Sequence, residues 1–108
     1  VLAKQKGRRA AVLGDMYELG QYEAESHRQI GEAAMALGLE LVIAVGALGR
    51  LIGEGAEACA QAKQQVYYAE DSAQAAALLQ KWLQSGDQVL IKGSRGMQME
   101  EIVEIIMR

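Results

Sequence analysis

The chain has 108 residues, of which 51% are apolar and 23% charged, and its net charge is -3. That is enough chain for one domain, able to bury roughly 65% of the surface its unfolded form exposes, and the composition excludes disordered and fibrous classes. A single cysteine, Cys59, and a single histidine, His27, exclude an internal disulfide and a clustered His/Cys metal site.

In chain order, Val1 to Lys6 (VLAKQK) reads as the end of a helix, which suggests a domain cut at its N-terminal side. Lys4, Lys6, Arg8 and Arg9 make the only basic cluster. It lacks the interleaved aromatics of a nucleic-acid surface, so it reads as a solvated face and no nucleic-acid partner is expected. Arg8–Gly14 (RRAAVLG) is the first strand candidate. The pattern Ile30, Ala33, Ala34, Leu37 then predicts a helix that turns those residues inward and stops at Gly38.

Glu40–Gly46 (ELVIAVG) is the second strand. Leu48, Leu51, Ile52 and Gly55 repeat the helical spacing, with Gly53 and Gly55 expected to weaken that helix by roughly 1 kcal/mol each unless close packing needs them. Cys59, in the same Ala-rich stretch, reads as a small buried hydrophobe. Gln65–Ala69 (QVYYA) is a short third strand. Asp71 and Gln74 form a capping box ahead of a third helix that turns Ala75, Leu79, Trp82 and Leu83 inward. Asp87–Lys92 (DQVLIK) is the fourth strand, and Met99, Ile102, Val103 and Ile106 mark a fourth helix.

Short continuous apolar runs indicate strands covered on both faces. The expectation is one three-layer α/β/α, Rossmann-like domain over residues 1–108, with a parallel sheet in the order 4-1-2-3. In such sheets ligands bind beyond the carboxyl ends of the strands, where the strand order reverses. The loops that follow the first, second and fourth strands are GDMYELG, GALG and KGSRG. None is a dinucleotide fingerprint or a P-loop, and Gly46, Gly49 and Gly53 read as turn glycines more readily than as a nucleotide cradle.

Lys92, Ser94 and Arg95 place two cations and a hydroxyl between glycines, just before a helix. That suits an anion, although a solvated turn would tolerate the same residues. Asp15 is either a ligand group in the crevice or a turn residue and local cap. His27 is either a site residue or a surface residue of the first helix. Met97 and Met99 read as core fillers. No apolar run approaches a membrane span and no signal-peptide pattern opens the chain, so a cytoplasmic protein without a membrane partner is expected.

LGDMYELG, then ESHRQIG, LVIAVG and VLIKGSRGMQMEEIV resemble, over nearly the whole chain, the C-terminal domain of the Mur ligase family. The resemblance implies a peptidoglycan-precursor ligase of three domains. The first holds a UDP-N-acetylmuramoyl-tripeptide, the central one ATP with magnesium, and the last brings in D-alanyl-D-alanine and closes the site. It also implies substrate binding by Asp15, Lys92, Ser94 and Arg95, with His27 matching a recurring histidine. The family's upstream Asn-rich segment is missing, so this stretch alone is expected to bind no ATP or metal and to catalyse nothing. Two rival readings stand beside it: a stand-alone Rossmann-type small-ligand or nucleotide-binding module, and a structural interaction domain that associates through an exposed sheet edge. Under the ligase reading itself, Val89, Leu90 and Ile91 are expected to form an unprotected edge open to self-association.

Overall fold

A computed structural model describes residues 7–16, 23–93 and 102. Its elements are β1 (Arg9–Gly14), α1 (Glu23–Ala36), β2 (Leu41–Val45), α2 (Gly46–Cys59), β3 (Gln65–Ala69), α3 (Ser72–Trp82) and β4 (Gln88–Lys92). The four strands are all parallel, in the order β3-β2-β1-β4. This is the expected 4-1-2-3 order seen from the other edge. β1 lies centrally, with Leu13 in register with Ala44 of β2 and with Lys92 of β4.

β1, β2 and β3 step across the sheet in one direction, and the chain then returns past them to β4. Right-handed crossovers therefore put α1 and α2 on one face and α3 on the other. On the α3 face, Ala10, Val12, Leu41 and Ile43 meet Ala75, Leu79 and Ile102. On the opposite face, Ala11, Leu13 and Val42 meet Ala34, Met35, Ile52 and Ala56. Alternate residues of one strand thus serve two cores, which is why β1 and β2 read as unbroken apolar runs.

The first helix is rotated from its expected phase. It buries His27, Gly31, Ala34 and Met35, while Leu37 is 69% exposed. The cause is Gly31, which carries no hydrophobic signal yet lies directly against the backbone of α2. A Cβ there would collide with the carbonyl of Ile52, and one at Gly55 would collide with the carbonyl of Arg28. The two glycines let the backbones of α1 and α2 touch. Gly53, in turn, lies against the Tyr68 ring and the Ala44 Cβ, so the glycines of α2 do permit close packing on the sheet.

α1 ends as its glycine predicts. Gly38 has φ +83°, its N–H donates to Met35 O at 3.0 Å, and Leu39 N–H donates to Ala34 O at 3.3 Å, the paired bonds of a Schellman motif. Asp71 caps α3, accepting from Gln74 N–H at 2.9 Å, but Gln74 reaches back to Glu70 N–H (2.8 Å) rather than to that of Asp71. Cys59 is exposed, not buried, because it falls on the outer side of the last turn of α2.

The basic cluster is not simply a solvated face. Arg8 lies over the Trp82 ring, 3.7 Å from its centroid, and pairs with Asp87 at 2.8 Å. Lys4 and Lys6 fall outside the described residues, as do Met97, Met99, Val103 and Ile106. Ile102 is helical and fully buried among the α3-face residues.

Candidate functional site

The strand order reverses between β1 and β4, so the carboxyl ends of those two strands open the crevice where such sheets take ligands. Asp15 and Met16 follow β1 there, and Lys92 ends β4. Asp15 is only 7% exposed, and its Oδ1 accepts the Gly49 N–H at 2.7 Å. Val45, the residue at the N-cap of α2, offers no side-chain bond to that helix. Asp15 therefore supplies from another loop an acceptor for the first turn of α2, where the helix dipole also favours its charge. It is a cap, but not a local one. Gly49 eases the approach, since a Cβ there would lie a tight 3.3 Å from Leu13 O.

His27 is fully buried, which overturns its reading as a surface helical residue. Its Nε2 accepts the Met16 N–H at 3.0 Å, and its Nδ1 lies 2.6 Å from Glu23 O. An amide can only donate and a carbonyl can only accept. The ring is therefore neutral, with its proton on Nδ1. It links the first turn of α1 to the loop after β1.

Lys92 is exposed. With Leu13, Met16, Ile30, Ala33 and Leu90 it borders a cavity of about 270 Å³ between α1 and β4. Ser94 and Arg95, the other two expected substrate-binding residues, lie outside the described residues. The structure therefore brings Asp15, His27 and Lys92 to one end of the sheet and describes nothing of the remaining pair.

A second opening, of about 400 Å³, lies at the carboxyl ends of β2 and β3, bordered by Gly46, Ala47, Arg50, Tyr68, Glu70 and Gln74. The Arg50 guanidinium sits 5.6 Å from the centroid of the Tyr68 ring. The Tyr68 hydroxyl donates to Glu57 Oε1 at 2.7 Å. Burial, the Glu57 hydrogen bond and the charges of Glu57 and Glu54 push the phenol up to about 12, against the lowering effect of Arg50. Sequence reasoning passed over Arg50, although the signal was there: a guanidinium one turn into the helix that follows a buried strand. The glycines of that loop serve its geometry. Each has a backbone or packing cause, φ +88° at Gly46, the Leu13 carbonyl at Gly49 and the Tyr68 ring at Gly53.

A parallel sheet covered on both faces, with Asp15 and Lys92 at its reversal point, defines a Rossmann-like α/β domain. Residues 1–95 match the family described as Mur ligase, glutamate ligase domain, and the chain belongs to that family as one of its C-terminal domains. It is 36% identical over 98 residues to the UDP-N-acetylmuramoyl-tripeptide--D-alanyl-D-alanine ligase of Bacillus subtilis, covering 91% of this chain and 21% of that protein. Against the Escherichia coli ligase of the same name it is 37% identical over 109 residues, covering 98% and 22%. Among solved structures, MurF from Acinetobacter baumannii superposes with a TM-score of 0.79 at 29% identity, covering 98% of this chain and 23% of that one. MurF from Thermotoga maritima in complex with ADP gives 0.74 at 27%, covering 97% and 23%. The chain thus spans about a fifth of the length of these relatives.

Proposed function

We propose that this chain is the amino-substrate domain of an ATP-dependent, cytoplasmic ligase that joins D-alanyl-D-alanine to UDP-N-acetylmuramoyl-tripeptide in peptidoglycan synthesis. The observation that carries the reading is the adjacency of β1 and β4, which puts the GDM loop and the start of the KGSR loop at one reversal point. The names borne by the relatives support the particular substrate. The family description speaks of glutamate and the relatives' names of a dipeptide. Both nucleophiles present an amine to be acylated and a carboxylate to be held.

Among the described residues no group of three His, Cys, Asp or Glu side chains could hold a metal ion, and the sequence has no P-loop. ATP, magnesium and the sugar peptide are assigned to the rest of a longer protein. There the tripeptide carboxylate becomes an acyl phosphate. This chain's task is to deliver the dipeptide amine to it. A guanidinium grips a carboxylate through two parallel hydrogen bonds, which sets orientation as well as charge. That role goes to Arg95, helped by Ser94, with Lys92 adding positive charge to the same anion or to the phosphate. Asp15 holds the opposite wall of the crevice and offers negative charge to the dipeptide's ammonium end. Positioning of this kind accounts for several kcal/mol of a bimolecular barrier.

The test is Arg95→Ala in the full-length protein. We expect the dipeptide KM to rise and kcat/KM to fall by roughly 2–4 kcal/mol equivalent, with the KM for ATP nearly unchanged. A loss on the ATP side instead would reassign the loop to the nucleotide. The rival nucleotide-module reading gains nothing from the loop after β2, whose glycines are accounted for by packing and turn geometry. Self-association through β4 is a subsidiary proposal. It rests on the position of β4 at the sheet edge among the described residues and on Leu90, which is 57% exposed.

A further inference from the structure

The one imidazole of the chain is spent entirely on backbone groups, and those groups border the crevice. His27 has no exposed surface, its Nδ1–H donates to Glu23 O at 2.6 Å, and its Nε2 accepts from Met16 N–H at 3.0 Å. Met16 directly follows Asp15, whose carboxylate is held 2.7 Å from the Gly49 N–H of α2. Two successive residues of one loop are thereby pinned by two different helices, Met16 by α1 through its backbone and Asp15 by α2 through its side chain. The two helices are themselves locked by the glycine contacts at Gly31 and Gly55. Gly31 lies one turn beyond His27 on the same buried stripe of α1.

We infer that His27 is a positioning residue for the amino-substrate crevice. It acts through Met16 to hold Asp15 in place, and it must be in its neutral Nδ1–H form to do so. The reason is donor arithmetic. The Met16 amide needs an acceptor, and a buried amide left without one forfeits the bond and its solvation. An imidazolium, or the Nε2–H tautomer, would set a donor against a donor. The Glu23 carbonyl selects the tautomer by accepting from Nδ1, as a second partner commonly does for a working imidazole. A loop displaced by about 1 Å costs on the order of a hundredfold in orientation-dependent chemistry, so a single backbone bond at this place has leverage on function beyond its effect on folding.

This inference rests on the proposed function for its kinetic consequence, but not for its chemical one, and the experiment separates the two. His27 is the only histidine of the chain, so imidazole nitrogen resonances of the ¹⁵N-labelled chain belong to it alone. We expect a protonated Nδ1 and an unprotonated Nε2, with the Met16 amide protected from exchange. An Nε2–H or rapidly averaging imidazole in folded protein would overturn the inference whatever the enzyme does.

For the kinetic arm, His27→Gln in the full-length ligase places an amide oxygen near the lost Nε2 and can still accept from Met16. His27→Asn can replace only the bond to Glu23. Asn and Ala are expected to raise the dipeptide KM about tenfold, with the KM for ATP unchanged and Gln restoring most of the loss. Equal losses in Gln, Asn and Ala, or a fall in kcat with no change in dipeptide KM, would mark the residue as core filling and sink the inference. If the wild-type protein fails to use the dipeptide at all, the proposed function falls while the tautomer result stands.

Discussion

The two ends of β1 are tied down by opposite chemistry. At the amino end the ties are charged side chains near solvent. Arg8 is bonded through its backbone N–H and its guanidinium to Asp87, donates to the Trp82 carbonyl and covers the Trp82 ring. Arg9 donates its backbone N–H to Glu40 Oε1 and its guanidinium to Leu37 O. At the carboxyl end the described ties are hydrogen bonds given by the backbone. Two backbone amides, of Met16 and Gly49, are caught by an imidazole and a carboxylate. The amino end holds the last strand to the first and contributes stability. The carboxyl end fixes where a loop stands, and that is where parallel sheets place their chemistry.

The sharpest break in this comparison comes at the amino end. The Asp87 side chain is 3% exposed. Asp87→Ala leaves the Arg8 guanidinium only its contacts with Trp82 and Gln84 N–H without its acceptor, and should cost about 2–3 kcal/mol in urea unfolding. Substrate KM values should hold once the protein is folded. Desolvation works to raise the Asp87 carboxyl, but hydrogen bonds from the Arg8 side chain and the Gln84 and Arg8 backbones, with the Arg8 charge, outweigh it and bring it below 3.8. In the window just under that value the unfolded chain binds the proton that the folded one refuses, so stability falls with acid. It is fully present above the ordinary carboxylate range and lost as pH drops through the depressed value. Asp87→Asn should flatten that acid limb. An unchanged limb would place the acid sensitivity elsewhere.

Next in size is the seam that carries the carboxyl end. Gly31→Ala forces a methyl against the Ile52 carbonyl and should destabilise by about 2 kcal/mol. It should also raise the dipeptide KM, because α1 carries His27. A stability loss with kinetics untouched would uncouple the seam from the crevice.

Asp15 divides the two functions of its own end. Asp15→Ala removes the acceptor for Gly49 N–H and should cost about 1 kcal/mol in thermal or urea unfolding, while Asp15→Asn keeps an acceptor and should cost less. Both should raise the dipeptide KM if the charge matters to the ammonium. Asn kinetics equal to wild type would reduce Asp15 to a cap. The smallest effect is expected at the edge. Leu90→Lys should change stability by less than about 0.5 kcal/mol, yet abolish any concentration-dependent dimer seen by sedimentation. A wild-type monomer at all concentrations would remove the edge-pairing proposal.

Much of this protein is determined locally and was legible in the amino-acid sequence. Unbroken apolar runs such as LVIAV specify strands covered on both faces, Gly38 stops α1, and Asp71 opens α3. With polar loops after the first and fourth strands, these features imply a parallel sheet with those strands adjacent. Three things were decided only by the tertiary structure. The facing of α1 depends on Gly31 meeting a backbone carbonyl, a close approach that no hydrophobic count records. Arg8 became part of a structural pair because Asp87 and Trp82, more than seventy residues away, arrive beside it. His27 became a buried acceptor because its partner Met16 lies on a loop, not on its own helix, and Asp15 acquired Gly49 in the same way. Periodicity records which side chains avoid water. It carries no information on which orphaned backbone N–H a distant ring or carboxylate will satisfy, because that depends on distances set only when the layers close.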